Sequence, residues 1–260
     1  MTDASVKEGV NSCNEGDFQT ALFHFRTLAK QGNIEAQWGL ASMYAEGQGV
    51  ERDESKAFFW FNLAAGGGHV LSQYSLGIMY FSGRGVERNY AEAFSWYSLA
   101  AEAGKIEAYY NLGVMRREGL GVEKNLKEGA TYFLKAAEGG QMQAQYTLAL
   151  MYTNGDGVLK NGSEAVRWAH LAAAQGFNEA ECLLGVIYMN GEFVPKDSKA
   201  AMKYFMRAAN QGHAHAQYTL GWMYINGAGV SVDKRESLKW LQLSHNQGYR
   251  DATELIQRIK

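Results

Sequence analysis

The sequence lacks the features that would direct it to nucleic acid or into a membrane. Its 25 basic and 27 acidic residues give a formal net charge of −2, so it has no basic excess for phosphate backbones or acidic lipid. No apolar run approaches the ~20 residues that a membrane-spanning helix requires. The first residues, MTDASVKEGV, contain no apolar signal segment. We therefore expect no nucleic-acid partner, no membrane insertion and no secretion signal.

Glycine is abundant, with 30 residues, and it recurs at a fixed spacing. The phrase YINGAGVSVDKRES at residues 224–237 returns as YAEGQGVERDESKA, YFSGRGVERNYAEA, REGLGVEKNLKEGA and YTNGDGVLKNGSEA, and with one change as YMNGEFVPKDSKAA. The first glycines of these phrases lie 36 residues apart, at Gly47, Gly83, Gly119, Gly155, Gly191 and Gly227. A fixed period of this length predicts a repeat architecture.

Each period carries two helical patterns. Ala36, Leu40 and Met43 share one face of the first helix, and Ala57 and Phe61 share one face of the second. The predicted N-caps of the second helices are Asp17, Asp53, Asn89, Asn125, Asn161, Asp197 and Asp233. In four units a glutamate follows three residues later, which predicts a capping box: Glu92, Glu128, Glu164 and Glu236. The predicted left-handed C-cap glycines are Gly32, Gly68, Gly104, Gly140, Gly176, Gly212 and Gly248.

The G-x-G-V phrase between the two helices is interpreted as a turn. Glycine tolerates positive φ, the valine packs the loop onto the core, and the Asp or Asn begins the next helix. No predicted strand precedes the phrase and no G-x-G-x-x-G follows, so a nucleotide-binding loop is not indicated.

These phrases, together with SQYSLGIMY-like first helices and A…W…LAA…G second helices, resemble Sel1-like repeats, relatives of the tetratricopeptide repeat. The resemblance covers residues 33–248 as six repeats. Residues 4–32 resemble a shorter tetratricopeptide-like pair, and residues 249–260 a C-terminal capping helix. It implies an all-α, right-handed α-solenoid (superhelix) of about fifteen helices in antiparallel pairs, forming one domain over residues 1–260. The first helices would line its concave side.

The only cysteines, Cys13 and Cys182, lie nearly five periods apart. In a stacked array this separation far exceeds the ~7 Å Cα distance that a disulfide spans. Two free thiols favour a reducing compartment, so we expect a cytoplasmic protein, and the resemblance suggests a bacterial one.

No motif proposes catalysis. The six histidines are scattered, and His213 and His215, two residues apart, do not share a helix face. No His, Cys, Asp or Glu group has metal-ligand spacing. We therefore predict no catalytic, metal or cofactor-binding residue.

The candidate binding residues lie on the first helices, on the stripe away from the paired helix. One level holds Trp38, Tyr74, Tyr110, Tyr146, Cys182 and Tyr218, and a second holds Ser42, Ile78, Val114, Leu150, Val186 and Trp222. Beside them lie Asn111, Asn154, Asn190 and Asn226. The aromatic residues either pack against neighbouring first helices or form a partly exposed groove for a partner's helix or extended peptide. The asparagines suit a peptide backbone or cap helix ends.

Three positions depart from the repeat. Arg116 replaces a tyrosine beside Arg117, and Tyr109 replaces Gln or Glu in the same repeat. These changes are either neutral or make a specificity site in which Arg116 or Arg117 binds a partner carboxylate. Phe193 replaces the second loop glycine, two residues before the only proline, Pro195. We expect it to show that this position is more permissive than the first glycine.

The resemblance implies a non-enzymatic scaffold or adaptor, which binds a protein or peptide on its concave face. The alternatives are a hydrolase of small amide or cell-wall substrates that uses the solenoid as a frame, and a purely structural self-assembly unit. A monomer is favoured.

Overall fold

The computed structural model describes residues 2–259, with side chains from Ser5 onward. Over these residues the chain is all-helical, with fifteen α-helices and no β-strand. The helices are α1 Thr2–Glu15, α2 Phe18–Lys30, α3 Ile34–Glu46, α4 Glu54–Gly66, α5 Val70–Ser82, α6 Tyr90–Glu102, α7 Ile106–Glu118, α8 Leu126–Glu138, α9 Met142–Asn154, α10 Gly162–Ala174, α11 Asn178–Asn190, α12 Ser198–Asn210, α13 Ala214–Asn226, α14 Lys234–Asn246 and α15 Arg250–Ile259. No helix in this part of the chain is long and apolar enough to cross a membrane.

The helices divide into two compact units, and the boundary in the sequence falls within α8, between Tyr132 and Phe133. In the first unit, consecutive helices from α1 to α7 pack on one another, and in the second unit those from α9 to α15 do so. The grouping of residues 1–260 into one domain, with a first pair at 4–32 and a capping helix at 249–260, stays a prediction; residues 1 and 260 lie outside the described residues.

The predicted N-caps of the second helices are confirmed. Asp53 Oδ1 accepts a hydrogen bond from Lys56 N at 2.9 Å, and Asn125 Oδ1 accepts one from Glu128 N at 3.0 Å. The other five predicted Asp and Asn residues make the same type of bond. Each bond satisfies an N–H group that the first helical turn leaves without a partner.

The predicted capping boxes are wrong. A capping box needs the backbone N–H of the cap residue as a donor to the glutamate. The N–H of Asn89 instead donates to Tyr80 O at 2.9 Å, and the N–H of Asn161 to Tyr152 O at 3.0 Å. Asn125 and Asp233 donate in the same way to Arg116 O and Tyr224 O. The turn that returns from the first helix has therefore already used this donor.

The predicted C-cap glycines are confirmed, with φ between 82° and 95°. At the end of α2, Gly32 N donates to Ala29 O at 3.0 Å and Asn33 N to Leu28 O at 3.1 Å. These two bonds satisfy the last carbonyls of the helix, and they require a left-handed backbone conformation at Gly32.

The second loop glycine is more restricted than the first, which contradicts our expectation from Phe193. A Cβ atom on Gly85 would lie 2.2 Å from Glu54 O, whereas one on Gly83 would lie no closer than 3.2 Å to Arg88 Cβ. Both glycines have positive φ. A side chain at the second position would therefore meet the same backbone strain and would also collide with the backbone of the neighbouring helix.

The core of each repeat lies between its two helices. Leu40 and Met43 of α3 are buried against Ala57 and Phe61 of α4 within one cluster. Gly77 of α5 sits against Tyr97, whose ring carbons would lie 2.5 Å from a Cβ there. Small residues on the first helices thus permit close helix packing.

A buried glutamine joins neighbouring helices in several repeats. Gln145 Nε2 donates to Ala137 O at 3.1 Å, and its Oε1 accepts from Gln175 Nε2 at 2.8 Å. Gln217 makes the same bonds with Ala209 and Gln247. These bonds satisfy both the side chain and a helix-end carbonyl, which burial would otherwise penalise.

Glu181 occupies this glutamine position in the fifth repeat and is 1% exposed. A carboxylate cannot donate to the carbonyl of Ala173. Arg207 supplies that bond, with its Nη2 atom 3.1 Å from Ala173 O and 2.6 Å from Glu181 Oε1. Gln211 Nε2 donates to the second carboxylate oxygen at 2.8 Å. The charge at residue 181 is thus paired and hydrogen-bonded.

Candidate functional site

The aromatic level on the first helices is neither fully buried nor fully exposed. Trp38, Tyr74, Tyr110, Tyr146 and Tyr218 are partly buried, on α3, α5, α7, α9 and α13 respectively. Cys182, on α11, is buried. The structure therefore supports parts of both interpretations, because these rings pack against neighbours and also retain exposed surface.

In the first unit, Tyr74 is held by contacts on several sides. Its ring centroid lies 5.6 Å from that of Tyr97, and Lys105 Nζ lies 5.3 Å from the Tyr74 centroid. Asn111 Nδ2 donates to Tyr74 Oη at 3.2 Å. Two of the predicted site residues, Tyr74 and Asn111, are thus brought together by a hydrogen bond.

A cavity of about 440 Å³ opens between α3 and α5, with α4 as its floor. Trp38 and Tyr74 line it, together with Ile78, which is 36% exposed, and Phe61 lies below them. Trp38, Tyr74 and Ile78 belong to the stripe that the sequence predicts, but the cavity itself was not predicted.

The cavity exists because two residues of α3 are small. Ser42 and Ala45 line it, whereas the positions 36 residues further along the chain hold Ile78 and Phe81. In the second level of the stripe, Ser42 is the only residue that is not a large apolar one. This was the sequence signal that could have indicated an opening in the first repeat.

Most charged groups that line the cavity are already paired. Arg84 Nε lies 3.1 Å from Glu54 Oε1, and Lys105 Nζ lies 3.0 Å from Glu107 Oε2. Arg52 also pairs with Glu54, and the hydrogen bond from Arg52 is the main reason that the pKa of Glu54 is lowered. Glu46 is exposed and has no ion pair within residues 2–259. The charged residues that line the cavity balance in number, and Glu46 is the one among them without an ion pair in the described residues.

The two arginines at the end of α7 are both engaged within the protein. Arg116 Nε lies 3.0 Å from Glu128 Oε1, and the guanidinium lies 5.0 Å from the Phe94 ring centroid. Arg117 Nε donates to Glu118 Oε1 at 2.7 Å. Of the two arginines in the specificity-site alternative, Arg116 is already paired with Glu128 and packed on Phe94, which disfavours it as the residue that binds a partner carboxylate. A partner role for Arg117 and Tyr110 stays a prediction.

In the second unit, the aromatic residues of the stripe pack in pairs. The ring centroids of Tyr146 and Phe177 lie 5.4 Å apart, and those of Tyr218 and Tyr249 lie 5.2 Å apart. Burial raises the pKa of both Tyr146 and Tyr218 above the ordinary tyrosine value. Trp222 projects more freely and is 40% exposed.

The asparagines at the helix ends are exposed, and two of them bond locally. Asn226 Nδ2 donates to Trp222 O at 2.8 Å, and Asn154 Nδ2 donates to Asp156 Oδ2 at 3.3 Å. Asn190 is exposed at the end of α11. The bond from Asn226 agrees with the helix-end interpretation; binding of a peptide backbone by these side chains stays a prediction.

The structure offers little for acid–base or nucleophilic chemistry. Burial raises the pKa of Cys182 to about 12, so its thiol stays protonated at neutral pH and is a poor nucleophile. Burial lowers the pKa of His69, His170 and His215. Within residues 2–259, no group of three His, Cys, Asp or Glu side chains is placed to hold a metal ion.

Comparison with protein-family models identifies the repeat. The Sel1 repeat matches residues 34–69, 70–105, 106–141, 143–177, 178–213 and 214–249. The chain belongs to the Sel1 repeat family, and it is an all-α solenoid of antiparallel helix pairs, as its repeats predict. A comparison with curated proteins gives no match.

Solved structures agree with this assignment. The antigen c5321 from uropathogenic Escherichia coli, described as a protective antigen with an SLR fold, is 34% identical over 99% of this chain, with a TM-score of 0.93. This chain covers 56% of the length of that structure. A Sel1 repeat protein from Oxalobacter formigenes is 30% identical over 92% of this chain and 96% of its own, with a TM-score of 0.81.

Proposed function

We propose that this protein is a non-enzymatic scaffold that binds a protein or peptide partner through the exposed stripe of its first helices. The observation that carries the proposal is the partial exposure of aromatic residues along this stripe, with Trp222 the most open of them. Aromatic residues dominate the binding energy of many interfaces because they bury a large area with little loss of conformational entropy.

The chemistry of the stripe supports binding over turnover. It presents rings, aliphatic side chains and amides, and its thiol at residue 182 is buried and protonated. Amides offer a donor and an acceptor to a peptide backbone. The two thiols are free, which agrees with the proposed cytoplasmic location in a bacterium.

The test is a selection of peptides from a random displayed library on the immobilised full chain, followed by affinity measurements with variants. Trp222→Ala should lower the affinity for the selected peptides about tenfold or more while leaving the melting temperature of the protein nearly unchanged. The asparagine bond to residue 222 survives this change because it uses the backbone carbonyl.

The matched control is Phe59→Ala, which removes a 55% exposed aromatic residue from a second helix, α4. It should leave peptide binding unaltered. Equal losses from both variants, or no selected peptide at all, would contradict the proposal. Concentration-dependent self-association by light scattering, without peptide binding, would favour a self-assembly unit instead.

A further inference from the structure

We infer that the cavity between α3 and α5 takes one large apolar side chain of the partner, and that the partner carries a lysine or arginine two residues from that anchor. The inference rests on the proposed function and names the chemistry of the segment that this part of the stripe binds.

The cavity lies where the first repeat has two small residues on its first helix. Ser42 and Ala45 leave it open, while later repeats place Leu150 and Ile225 at the matching positions. The first helices of those repeats have the same length as α3 and, like it, end at a left-handed glycine. The opening is therefore due to two side chains that this repeat lacks.

The lining of the cavity favours an apolar occupant. Its volume of about 440 Å³ falls in the range of small ligand-binding pockets. Trp38, Ile78 and Met79 form its walls above Phe61. Transfer of an aliphatic or aromatic side chain from water into contact with these groups is favourable because apolar surface is removed from water on both sides.

The charges at the rim favour a basic residue next to the anchor. Arg84 and Lys105 are already paired with Glu54 and Glu107, so an incoming carboxylate would gain less from them than from an unpaired cation. An incoming ammonium or guanidinium group would meet Glu46 without displacing any existing partner. Glu46 is also the last residue of α3, where the helix dipole disfavours a carboxylate and a nearby cation relieves this.

The spacing between the apolar anchor and the basic residue of the partner follows from the geometry of α3. Ser42 and Glu46 are one turn apart on α3, a rise of about 6 Å. An extended peptide advances about 3.3 Å per residue, so two residues cover about the same distance, and their side chains point to the same side. The expected motif is thus an apolar anchor and a basic residue separated by one residue.

The experiment uses the random displayed library on the full chain and a cavity-filled variant, Ser42→Leu with Ala45→Ile. Both new residues already occur at the equivalent positions 150 and 225, and an unchanged melt would verify folding. We expect peptides with the apolar–x–basic pattern to be enriched, and their affinity to fall about tenfold or more on cavity filling.

A charge exchange tests the rim independently of cavity filling. Replacing the basic residue of a selected synthetic peptide with glutamate should weaken its binding to the wild type about tenfold. Glu46→Lys should then restore binding of the glutamate peptide and weaken binding of the original one. This test holds even if the cavity-filled variant fails to fold.

The outcomes separate the two proposals. Peptides that tolerate cavity filling but lose affinity with Trp222→Ala would overturn the cavity inference and leave the proposed function standing. Peptides that need the cavity but show no charge exchange with Glu46 would overturn the predicted partner chemistry. A library that yields no binding peptide would overturn both.

Discussion

Gly162 and Phe193 have exchanged roles across the contact between the start of α10 and the loop after α11. Elsewhere a glycine in the loop faces a residue with a side chain at the start of a second helix; a Cβ on Gly229, for instance, would lie 2.4 Å from Ser198 O. Here Phe193 occupies the loop with φ 68°, and a Cβ on Gly162 would lie 2.2 Å from Phe193 Cδ1. The missing side chain at residue 162 makes room for the one at residue 193.

Gly162→Ser should therefore destabilise the protein by about 1–3 kcal/mol, because the new side chain collides with the Phe193 ring. Chemical denaturation measures the change. The double variant Gly162→Ser, Phe193→Gly reproduces the Ser198 and Gly229 pair and should recover most of the loss. A double variant no more stable than the single one would show that the two positions are not coupled.

The Glu181–Arg207 pair leads to a second prediction in which one substitution compensates for another. Arg207→Leu leaves a buried carboxylate without its cation and the Ala173 carbonyl without its donor, which should cost about 2 kcal/mol or more. Adding Glu181→Gln restores the arrangement of Gln145, where Leu171 is the equivalent of residue 207. Urea denaturation of the wild type, both single variants and the double variant gives the coupling energy. Additive losses would argue against this compensation.

Ala103→Gln should stabilise the protein. Gln73 Oε1 is buried without a hydrogen-bond partner, and residue 103 is 30 residues further on, the separation at which Gln175 donates to Gln145. The backbone at Ala103 (φ −80°, ψ 7°) matches that at Gln175 (φ −86°, ψ 2°). One new bond to a buried acceptor should add about 0.5–1.5 kcal/mol. Ala103→Glu, which has no donor, is the control, and an equal gain from it would contradict the mechanism.

Stability should fall as the pH decreases below about 6.5 because partly buried histidines resist protonation. His69 Nδ1 accepts from Ser72 N at 3.2 Å as the N-cap of α5, and burial lowers the pKa of His69, with a smaller opposing effect from Glu35. The unfolded chain therefore binds protons at a higher pH than the folded chain, so stability is full above the unfolded pKa of about 6.5 and decreases below it. His170 and His215 act in the same direction.

His69→Asn tests the contribution of this residue. Asparagine is the natural cap at the equivalent position, where Asn33 Oδ1 accepts from Ala36 N at 2.9 Å. The variant should lose less stability than the wild type between pH 7.5 and 5.5, measured by urea denaturation. This window lies above the range in which the carboxylates with lowered pKa, such as Asp53 and Glu107, become protonated. Identical pH profiles would mean that His69 does not contribute.

The sequence by itself determined the helices, their caps and the repeat. Caps and turns depend on a few neighbouring residues: Asp53 bonds three residues ahead, and Gly32 needs only its own positive φ. Such local rules are readable from spacing. The capping boxes failed for a reason that spacing does not contain, since the N–H of Asn89 is taken by Tyr80, nine residues back across a loop.

Only the tertiary structure decided which of the candidate residues are open and which are engaged. The sequence placed Trp38, Tyr74 and Tyr218 at one level, but their exposure depends on side chains of neighbouring helices. The small Ser42 and Ala45 open a cavity beside Trp38, while Tyr249 packs on Tyr218. The pairing of Arg116 with Glu128, on the next helix, is likewise a contact that the sequence does not show. The exposure of a side chain and its ion pairs depend on residues that are distant in the sequence. Which of these residues lie close together is known only from the folded structure.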